Sequence, residues 1–430
     1  MAFANNILQN VQTYQLSGLA LLQNLCCFIG TANTKFKDFD RITNQLGSTV
    51  NFDLPPRFTY TNSLVASFQA ADQRLLPLTV DQQGSVSYSF SATQFIFQAR
   101  DYMERWGRSA IAQLGAKVEL NVAQNCVSNT YRFFGDGVTP INSFLQLAQA
   151  LAFFRNFGSA PQNVKGYLSD IAVPQIVNSG LNQFSQDRNN KMSMSWQLGE
   201  FSNCEWYQSN LLPVHIAGNV GINGTVLTVT NVTPNSEGAV VAITFSGATP
   251  NDAFAVKKYD KFQFQDGVAG QPNMRFLTFI GQNVSANPVQ FTAIADAAAD
   301  GGGNVTVILS SSNNAAPPVL STTSLFPPLQ ANVAYNQNIN NQIAAGMQVK
   351  ALPSHRAGLI CSDDPLFLAM PQLPDQAPYA TGNEYDPDTG VSIRQYYGSL
   401  FGMNQQAMVH DCIWGSTLVP DNSLAIIFPL

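Results

Sequence analysis

The chain has 430 residues, a formal net charge of −6 and only 11% charged residues, well below the roughly 25% of typical soluble domains. No Lys- or Arg-rich run occurs, which argues against a basic patch that grips nucleic acid. The first basic residue is Lys35 and no apolar run reaches about 18 residues, so neither a signal peptide nor a membrane helix is predicted. Low charge together with 29 Phe favours faces covered by copies of the same chain; an ordinary neutral globular protein is the alternative.

Six cysteines are present, without a CxxC pair or the spacing of a disulfide framework. This pattern predicts buried free thiols in a reducing compartment. The cysteines are Cys26, Cys27, Cys126, Cys204, Cys361 and Cys412.

Residues 1–46 form an apolar arm with helical leucine spacing from Leu16 onward and a helix end at Gly30. An arm of this kind packs either on a partner or on its own domain. Two strands are predicted in residues 47–97, joined by a long excursion over about Pro55 to Gly84. A hairpin loop of this length is usually functional or disordered, and a loop lying across a neighbouring subunit would satisfy its backbone there.

The strongest helix is predicted over residues 98–134, where apolar side chains repeat on one face. At 1.5 Å per residue it would span on the order of 50 Å and act as a strut. Gly107 and Gly115 weaken it without stopping it, and Gly135 ends it. A second helix is predicted from Thr139, as its cap, to Gly158.

From about Gly218 to Leu309 the pattern changes to five short runs of alternating, β-branched residues separated by Gly, Asn, Asp and Pro. Alternation with period two predicts strands, and five such runs predict a small antiparallel barrel or sandwich. The flanks predict a mixed α+β domain that resumes after the interruption. The fold class is therefore α+β with an inserted β-module.

Chemistry-bearing patterns are weak. His215, His355 and His410 lie in no metal-binding spacing, and a structural role is predicted for each. The run Gly301–Gly303 lacks the lysine of a phosphate loop and predicts a hairpin tip. Paired aromatic residues such as Phe133 and Phe134 lack interleaved basic residues, so packing is favoured over base stacking. No catalytic, cofactor-binding or metal-binding residue is predicted, and the chain is expected not to be an enzyme.

Several collinear stretches carry a family resemblance, namely Lys117–Asn125, Gly199–Cys204, Ser209–Val214, Tyr259–Val268, Val289–Ile294, Ala357–Pro365 and Cys412–Gly415. In this order they resemble the major capsid protein of tailed phages, which has the HK97-like fold. More closely they resemble the coat proteins of the phage P22 group, which carry an insertion domain. The N-terminal arm and the tip of the long loop do not match well.

The resemblance implies six segments. They are an N-terminal arm (1–46), an extended loop or E-loop (47–97), a peripheral domain with the spine helix (90–135), a first axial part (136–216), an inserted β-barrel domain (217–333) and a second axial and peripheral part (334–430).

The resemblance also implies a function. The chain would assemble into homo-hexamers and homo-pentamers of an icosahedral virion capsid in the host bacterial cytoplasm, first as a procapsid and then as an expanded shell. Implied partners are a scaffolding protein, a portal protein, decoration proteins and double-stranded DNA enclosed without sequence-specific contact; no membrane is involved. Lys257, Lys258 and Asp260 are the predicted contact with the next capsomer, and Gly107 and Gly115 are predicted hinges for expansion.

Three alternatives stay open. A cellular nanocompartment shell of the encapsulin kind would share the fold and hold an enzyme cargo. A phage tail or decoration protein, or a binding module, would use the inserted module as its binding head. An enzyme without a recognisable motif is the third, because two carboxylates can lie anywhere in a sequence.

Overall fold

The computed structural model describes residues 27–33, 49–54, 64, 68, 74–91, 107–157, 163–180, 199–234, 240–278, 281, 283–309, 338–362, 365–374, 380–386, 391–399 and 405–430. Strands outnumber helices in this part of the chain, and the α+β class predicted from the sequence is confirmed. The leucines of the predicted arm helix at residues 16–25 lie outside the described residues. Two compact units form, one from Met1–Val50, Leu78–Asn125 and Leu366–Thr417, the other from Asn51–Pro77, Cys126–Pro365 and Leu418–Leu430.

The described helices are α1 (Cys27–Thr31), α2 (Arg108–Asn129), α3 (Phe144–Arg155), α4 (Ala172–Gly180) and α5 (Asn219–Ile222). The strands of the N-terminal half are β1 (Thr49–Leu54), β2 (Arg74–Thr79), β3 (Gln82–Ser91), β4 (Phe133–Phe134), β5 (Val164–Ser169), β6 (Glu200–Phe201), β7 (Cys204–Ser209), β8 (Val214–His215), β9 (Val226–Pro234), β10 (Val240–Ser246) and β11 (Lys261–Phe264). The remaining strands are β12 (Arg275–Leu277), β13 (Val284–Pro288), β14 (Gln290–Thr292), β15 (Asn304–Ile308), β16 (Gln348–Ala351), β17 (His355–Cys361), β18 (Leu366–Ala369), β19 (Ala380–Asp386), β20 (Val391–Ser399), β21 (Gln405–Leu418) and β22 (Ser423–Pro429).

The long excursion is built differently from the prediction. Strand β1 pairs with β2, which the sequence analysis missed. Strand β3 pairs instead with β21, over ten residue pairs from Gln82–Trp414 to Ser91–Gln405. The predicted hairpin between the first strand and the Ser85 strand is therefore wrong. The strand was visible from its alternation, but its partner lies more than 300 residues away and leaves no local signal.

The first unit contains a five-stranded sheet in the order β18-β21-β20-β19, in which β3 also pairs with β21. Arg394 and Asp411 lie opposite each other in the register of β20 and β21. Their side chains form a buried ion pair in which the Arg394 Nε atom donates to the Asp411 Oδ1 atom at 2.9 Å. Because both charges are removed from water together, the pair fixes the register of these two strands.

The strut helix is shorter than predicted at its C-terminal end. Helix α2 has 22 residues, which corresponds to a length of about 33 Å. It ends at Asn129, where the Thr130 hydroxyl bonds back to the Cys126 carbonyl at 2.9 Å. The chain then becomes extended, and β4 pairs in parallel with β22. Tertiary pairing therefore overrides the helical pattern before Gly135; the predicted residues 98–106 lie outside the described ones.

The second predicted helix begins later than expected. Helix α3 is capped by Ser143, whose side chain accepts from the Gln146 amide at 3.3 Å. Gln146 in turn accepts from the Asn142 amide at 2.8 Å, close to the reciprocal pattern of a capping box. The predicted cap, Thr139, instead bonds to the carboxylate of Asp136 in the preceding turn.

The second unit contains a seven-stranded mixed sheet in the order β4-β22-β17-β5-β7-β6, with β8 beside β17. Helices α3 and α4 contribute Phe144, Leu147 and Ile176, among others, to one buried core with this sheet. We call this sheet and these two helices the parent domain. In β5, a Cβ atom at Gly166 would lie 2.3 Å from the ring of Trp206 on β7, so glycine is required for this close approach.

An antiparallel six-stranded sheet interrupts the parent domain, in the order β14-β11-β16-β9-β10-β15. We call residues 218–351 the inserted module. Strand β16, which follows the predicted boundary at residue 333, lies between β9 and β11 in this sheet. After β14, the Ile294 amide donates to the Ile308 carbonyl of β15 at 3.1 Å, which joins the two edges of the sheet. Its core includes Phe245, Phe262 and Phe291, whose rings are stacked.

Candidate functional site

The root of the inserted module is organised by a buried carboxylate, Asp260. It is 1% exposed, and its Oδ1 atom lies 2.7 Å from the His215 Nε2 atom. The backbone amide of Gly218 lies 3.1 Å from Oδ2 and that of Lys257 lies 2.8 Å from it. Asp260 therefore joins the end of β8, the first residue of the module and the loop before β11. A buried carboxylate with several donors is stable only where those donors are held in place.

Lys261, the next residue, points into the protein. It is 1% exposed, and its ammonium group donates to the Thr130 carbonyl at 2.5 Å. That carbonyl directly follows the C-terminal end of α2, where a positive charge is favoured. Burial nevertheless lowers the pKa of Lys261 from 10.5 to about 7, because the interior disfavours the charged form. The inserted module thus holds the end of the strut helix through a buried lysine.

Two side-chain amides add ties between module and parent domain. Gln290 bonds to Phe133 twice: its Oε1 atom accepts from the Phe133 amide at 2.9 Å and its Nε2 atom donates to the Phe133 carbonyl at 2.9 Å. Asn287 donates to the carbonyl of Phe153 on α3 at 2.8 Å. These contacts bind two different elements of the parent domain, so the module cannot rotate on its linkers without breaking them.

Aromatic packing adds to these contacts between the inserted module and the parent domain, which together we call the junction. Tyr131 and Phe157 of the parent domain belong to the core of the module and meet the ring of Phe276 at centroid distances of 5.7 and 6.1 Å. The guanidinium of the fully buried Arg132 lies 3.9 Å from the centroid of the Phe157 ring. It also donates to the carbonyls of Asp421 and Ser423 at 2.6 and 2.9 Å. One continuous core therefore crosses the junction.

The predicted contact residues do not behave alike. Asp260 is buried, and its carboxylate accepts hydrogen bonds within the subunit; its predicted contact with a neighbouring capsomer stays a prediction. Lys258 is exposed, with its ammonium group 4.8 Å from the Tyr259 ring centroid, and Lys257 is partly exposed. The loop is held by Asp296, which accepts from the Lys258 amide at 2.7 Å. Contact roles for Lys257 and Lys258 stay predictions.

The two predicted hinge residues lie at different places on the strut helix. Gly107 directly precedes α2, and a Cβ atom there would come no closer than 3.7 Å to the Tyr88 hydroxyl. Gly115 lies inside α2 on a buried face. Their hinge role stays a prediction.

The histidines lie in two different places. His215 and His355 are neighbours in the register of β8 and β17, with ring centroids 5.4 Å apart. Burial lowers the pKa of His355 to about 3 and that of His410 to about 4. His410 lies beside Tyr88 with a centroid distance of 5.9 Å. Within the described ranges, no three His, Cys, Asp or Glu side chains come together as a metal site.

Other predicted features are placed as follows. Gly301–Gly303 forms the turn after Asp300, whose carboxylate accepts from the Gly302 and Asn304 amides, so the predicted hairpin tip is confirmed. Phe133 is 1% exposed and serves packing. Among the described cysteines (Cys27, Cys126, Cys204, Cys361 and Cys412) no disulfide bond is present. In the part of the chain that the structure describes, no helix meets the length and apolarity needed to span a membrane.

Sequence reasoning missed the residues that make the junction, Lys261, Gln290 and Arg132. Each is a polar residue next to apolar ones, a pattern that also fits an exposed position on a strand. The available signal was the run from Tyr131 to Phe134, whose β-branched and aromatic neighbours favour a strand over the end of a helix. The pairing of this run with β22 and its contacts with the inserted module decide that it forms a strand.

No protein-family model matches the chain, and no curated protein matches it. Solved structures are similar to it along most of its length. One is described as Mycobacterium phage Che8, at 9% identity and a TM-score of 0.44, covering 93% of this chain and 90% of that one. A second is the capsid structure of the cyanophage P-SCSP1u, at 9% identity and a TM-score of 0.39, covering 92% and 88%.

A third is the capsid structure of the Helicobacter pylori bacteriophage KHP30, at 10% identity and a TM-score of 0.36, covering 90% and 86%. The second and third of these structures are described as phage capsids. At this level of identity no residue role is transferred from them.

Proposed function

We propose that the chain is the major capsid protein of a tailed phage, with an HK97-like fold interrupted by a β-barrel insertion domain. It assembles into hexamers and pentamers of an icosahedral shell around double-stranded DNA. A scaffold-lined procapsid forms first and then expands. A scaffolding protein, a portal protein and decoration proteins are the expected partners, and assembly occurs in the bacterial cytoplasm.

The observation that carries the proposal is the order of parts. A two-stranded excursion, a strut helix, a mixed sheet, an inserted antiparallel module and the return to the mixed sheet follow one another. From the strut helix onward, this is the order of the collinear stretches on which the family resemblance rests. The seven-stranded parent domain would be the axial domain and α2 the spine helix.

Exposed apolar side chains support assembly with other copies. Leu64 and Phe68, which lie in the excursion, are 108% and 98% exposed. Fully burying one such side chain stabilises by about 1.5–3 kcal/mol, which is available only if another surface covers it. An excursion that covers a neighbouring subunit would supply that surface while keeping each contact weak enough to correct errors.

The junction supports a bracing role for the insertion domain. Its contacts converge on the end of α2, on β4 and on α3, which come from separate parts of the parent sequence. A hydrogen bond contributes about 1 kcal/mol, and one to a charged group about 1.5–3 kcal/mol. The module would therefore hold the parent domain together before shell contacts form.

The proposal is tested by negative-stain electron microscopy of the purified protein, alone and with a candidate scaffold from the same genome. Closed polyhedral shells, or shells with aberrant spirals, are expected. Small uniform oligomers under all conditions would reject the proposal and favour a tail or binding-module role. Shells that load an enzyme cargo without scaffold would favour the nanocompartment.

Variants at exposed side chains sharpen the test. Leu64→Ser and Phe68→Ser should leave the subunit folded and abolish or slow shell formation, because they remove the exposed apolar groups of the excursion. Val284→Ser is the matched control, since Val284 is 60% exposed but lies on β13, outside the predicted contacts. Lys258→Glu should likewise keep the subunit folded and weaken shells; equal shell yields for Lys258→Glu and wild type would reject that contact.

A further inference from the structure

Glu119, near the middle of α2, is a buried carboxylate that the proposed function does not use. Its exposed fraction is 0%, although acidic side chains are almost never fully buried without partners. Its neighbour Lys117 is exposed on the same helix. Burying an acidic side chain on this helix costs free energy, so we expect the carboxylate to bind and position another part of the chain.

The partners of Glu119 are backbone amides of the N-terminal arm. The Phe28 amide donates to Oε1 at 2.7 Å, and the Ile29 amide donates to Oε2 at 3.1 Å. These residues are 91 and 90 positions away in sequence. They begin α1, whose first amides have no acceptor within their own helix. One carboxylate thus satisfies two successive donors, as a local cap would, but from a distant element.

Other contacts fix the same short segment. The Phe28 and Ile29 side chains are 0% and 1% exposed. The Asn33 amide donates to the Leu366 carbonyl at 2.8 Å, and the Asn33 carbonyl accepts from the Leu368 amide at 3.2 Å. After its contact with the strut helix, this segment of the arm therefore runs beside the edge strand β18.

The Glu119 carboxylate and the amides of α1 each need the other to be satisfied when buried. Burial raises the pKa of Glu119, while the amides of Phe28, Ile29 and Cys27 act in the opposite direction. Without the arm, the carboxylate would retain its desolvation cost and lose its hydrogen bonds. Without the carboxylate, the first amides of α1 would be buried without an acceptor.

We propose that Glu119 is a positioning residue that anchors the N-terminal arm to the strut helix at Phe28 and Ile29. The inference concerns the folded subunit and holds whether or not the subunit forms shells. In a shell it deepens the proposed function on which that part rests, because the anchor fixes the course of the arm at residues 27–33. A change in arm course would then be coupled to the strut helix through Glu119, the one acidic residue of α2.

The test is amide hydrogen exchange with mass spectrometry on soluble full-length subunit, following peptides that cover residues 27–33. Glu119→Gln keeps the shape but replaces one acceptor oxygen by an N–H donor that faces an amide. Exchange of these peptides should become at least tenfold faster, while peptides from β17 and β22 stay unchanged. Lys117→Gln is the matched control on the same helix and should change neither.

Unchanged exchange at residues 27–33 in folded Glu119→Gln protein would overturn the proposal. If that variant does not fold, Glu119→Asp retains the charge but shortens the reach, and it should give an intermediate increase. The wild-type protein supplies a test that needs no variant: complete exchange of the 27–33 peptides at the earliest time would also overturn the anchor. Because the readout is taken on subunits, absence of shells would reject only the proposed function.

Discussion

Replacing Lys261 by methionine is expected to change how the stability of the subunit depends on pH. Methionine keeps the length of the buried stem without its ammonium group. In the wild type, burial lowers the pKa of Lys261 from 10.5 to about 7. The unfolded chain therefore binds more protons than the folded chain between these two pH values.

The sign and size of the effect follow from that difference. The contribution of Lys261 to stability is greatest above pH 10.5, is lost progressively as the pH falls, and reaches its minimum below pH 7. At about 1.36 kcal/mol per pKa unit, the change amounts to about 5 kcal/mol. The hydrogen bond to the Thr130 carbonyl, which the variant lacks, offsets about 1.5–3 kcal/mol of any gain at low pH.

The variant should therefore be more stable than the wild type at pH 7 by about 2–4 kcal/mol and less stable at pH 10. The measurement is urea unfolding of soluble subunit, followed by circular dichroism at intervals from pH 6 to pH 10. Lys258→Met is the matched control, because Lys258 is exposed in the preceding loop and its removal should leave the pH profile of the wild type unchanged. Parallel profiles of the wild type and the Lys261 variant between pH 7 and pH 10 would refute the reasoning.

Three further predictions test other parts of the fold. Gly166→Ala should lower the free energy of unfolding by about 1–3 kcal/mol, measured by thermal and urea unfolding, because the new methyl group meets the Trp206 ring at 2.3 Å; an unchanged midpoint would contradict the close approach of β5 and β7. Arg132→Lys should cost about 1–3 kcal/mol in the same assay, since lysine lacks the planar group that lies on Phe157 and binds two carbonyls. In Gly107→Ala the new Cβ atom has room, so the stability of the subunit should change by no more than about 1 kcal/mol. The variant should change the rate of procapsid expansion, which is followed by electron microscopy. Expansion at the wild-type rate would show that Gly107 is not a hinge.

Much of the local structure was predictable from the sequence, because local signals carry it. The strut helix, the strand Thr49–Leu54, the alternating strands of the inserted module and the turn at Gly301–Gly303 all follow from periodicity and turn residues. The end of the strut helix was not predictable in this way. Phe133 and Phe134 have aromatic side chains that favour a strand, but the pairing with β22 decides between strand and helix, and a window of sequence cannot contain that neighbour.

The residues of the candidate site also divide into features that the sequence predicts and features that only the tertiary structure decides. The sequence marked the loop that contains Lys257, Lys258 and Asp260, but it could not separate an exposed charge from a buried one. Tertiary structure makes the difference, since the Asp260 carboxylate is buried and accepts from His215 and Gly218, while the Lys258 side chain is exposed. Both residues are charged and lie in the same loop, so the sequence alone does not separate them.

The sequence by itself determined the low charge, the succession of helical and alternating segments and the presence of an inserted β-module, because these depend on each residue and its near neighbours. Tertiary structure alone decided which strands pair, where the strut helix ends, that β16 belongs to the module and that Glu119, Lys261 and Gln290 act as internal ties. The physical reason is that a buried polar group is tolerated only where its partners are already in place, and those partners come from elements 90 to 157 residues away.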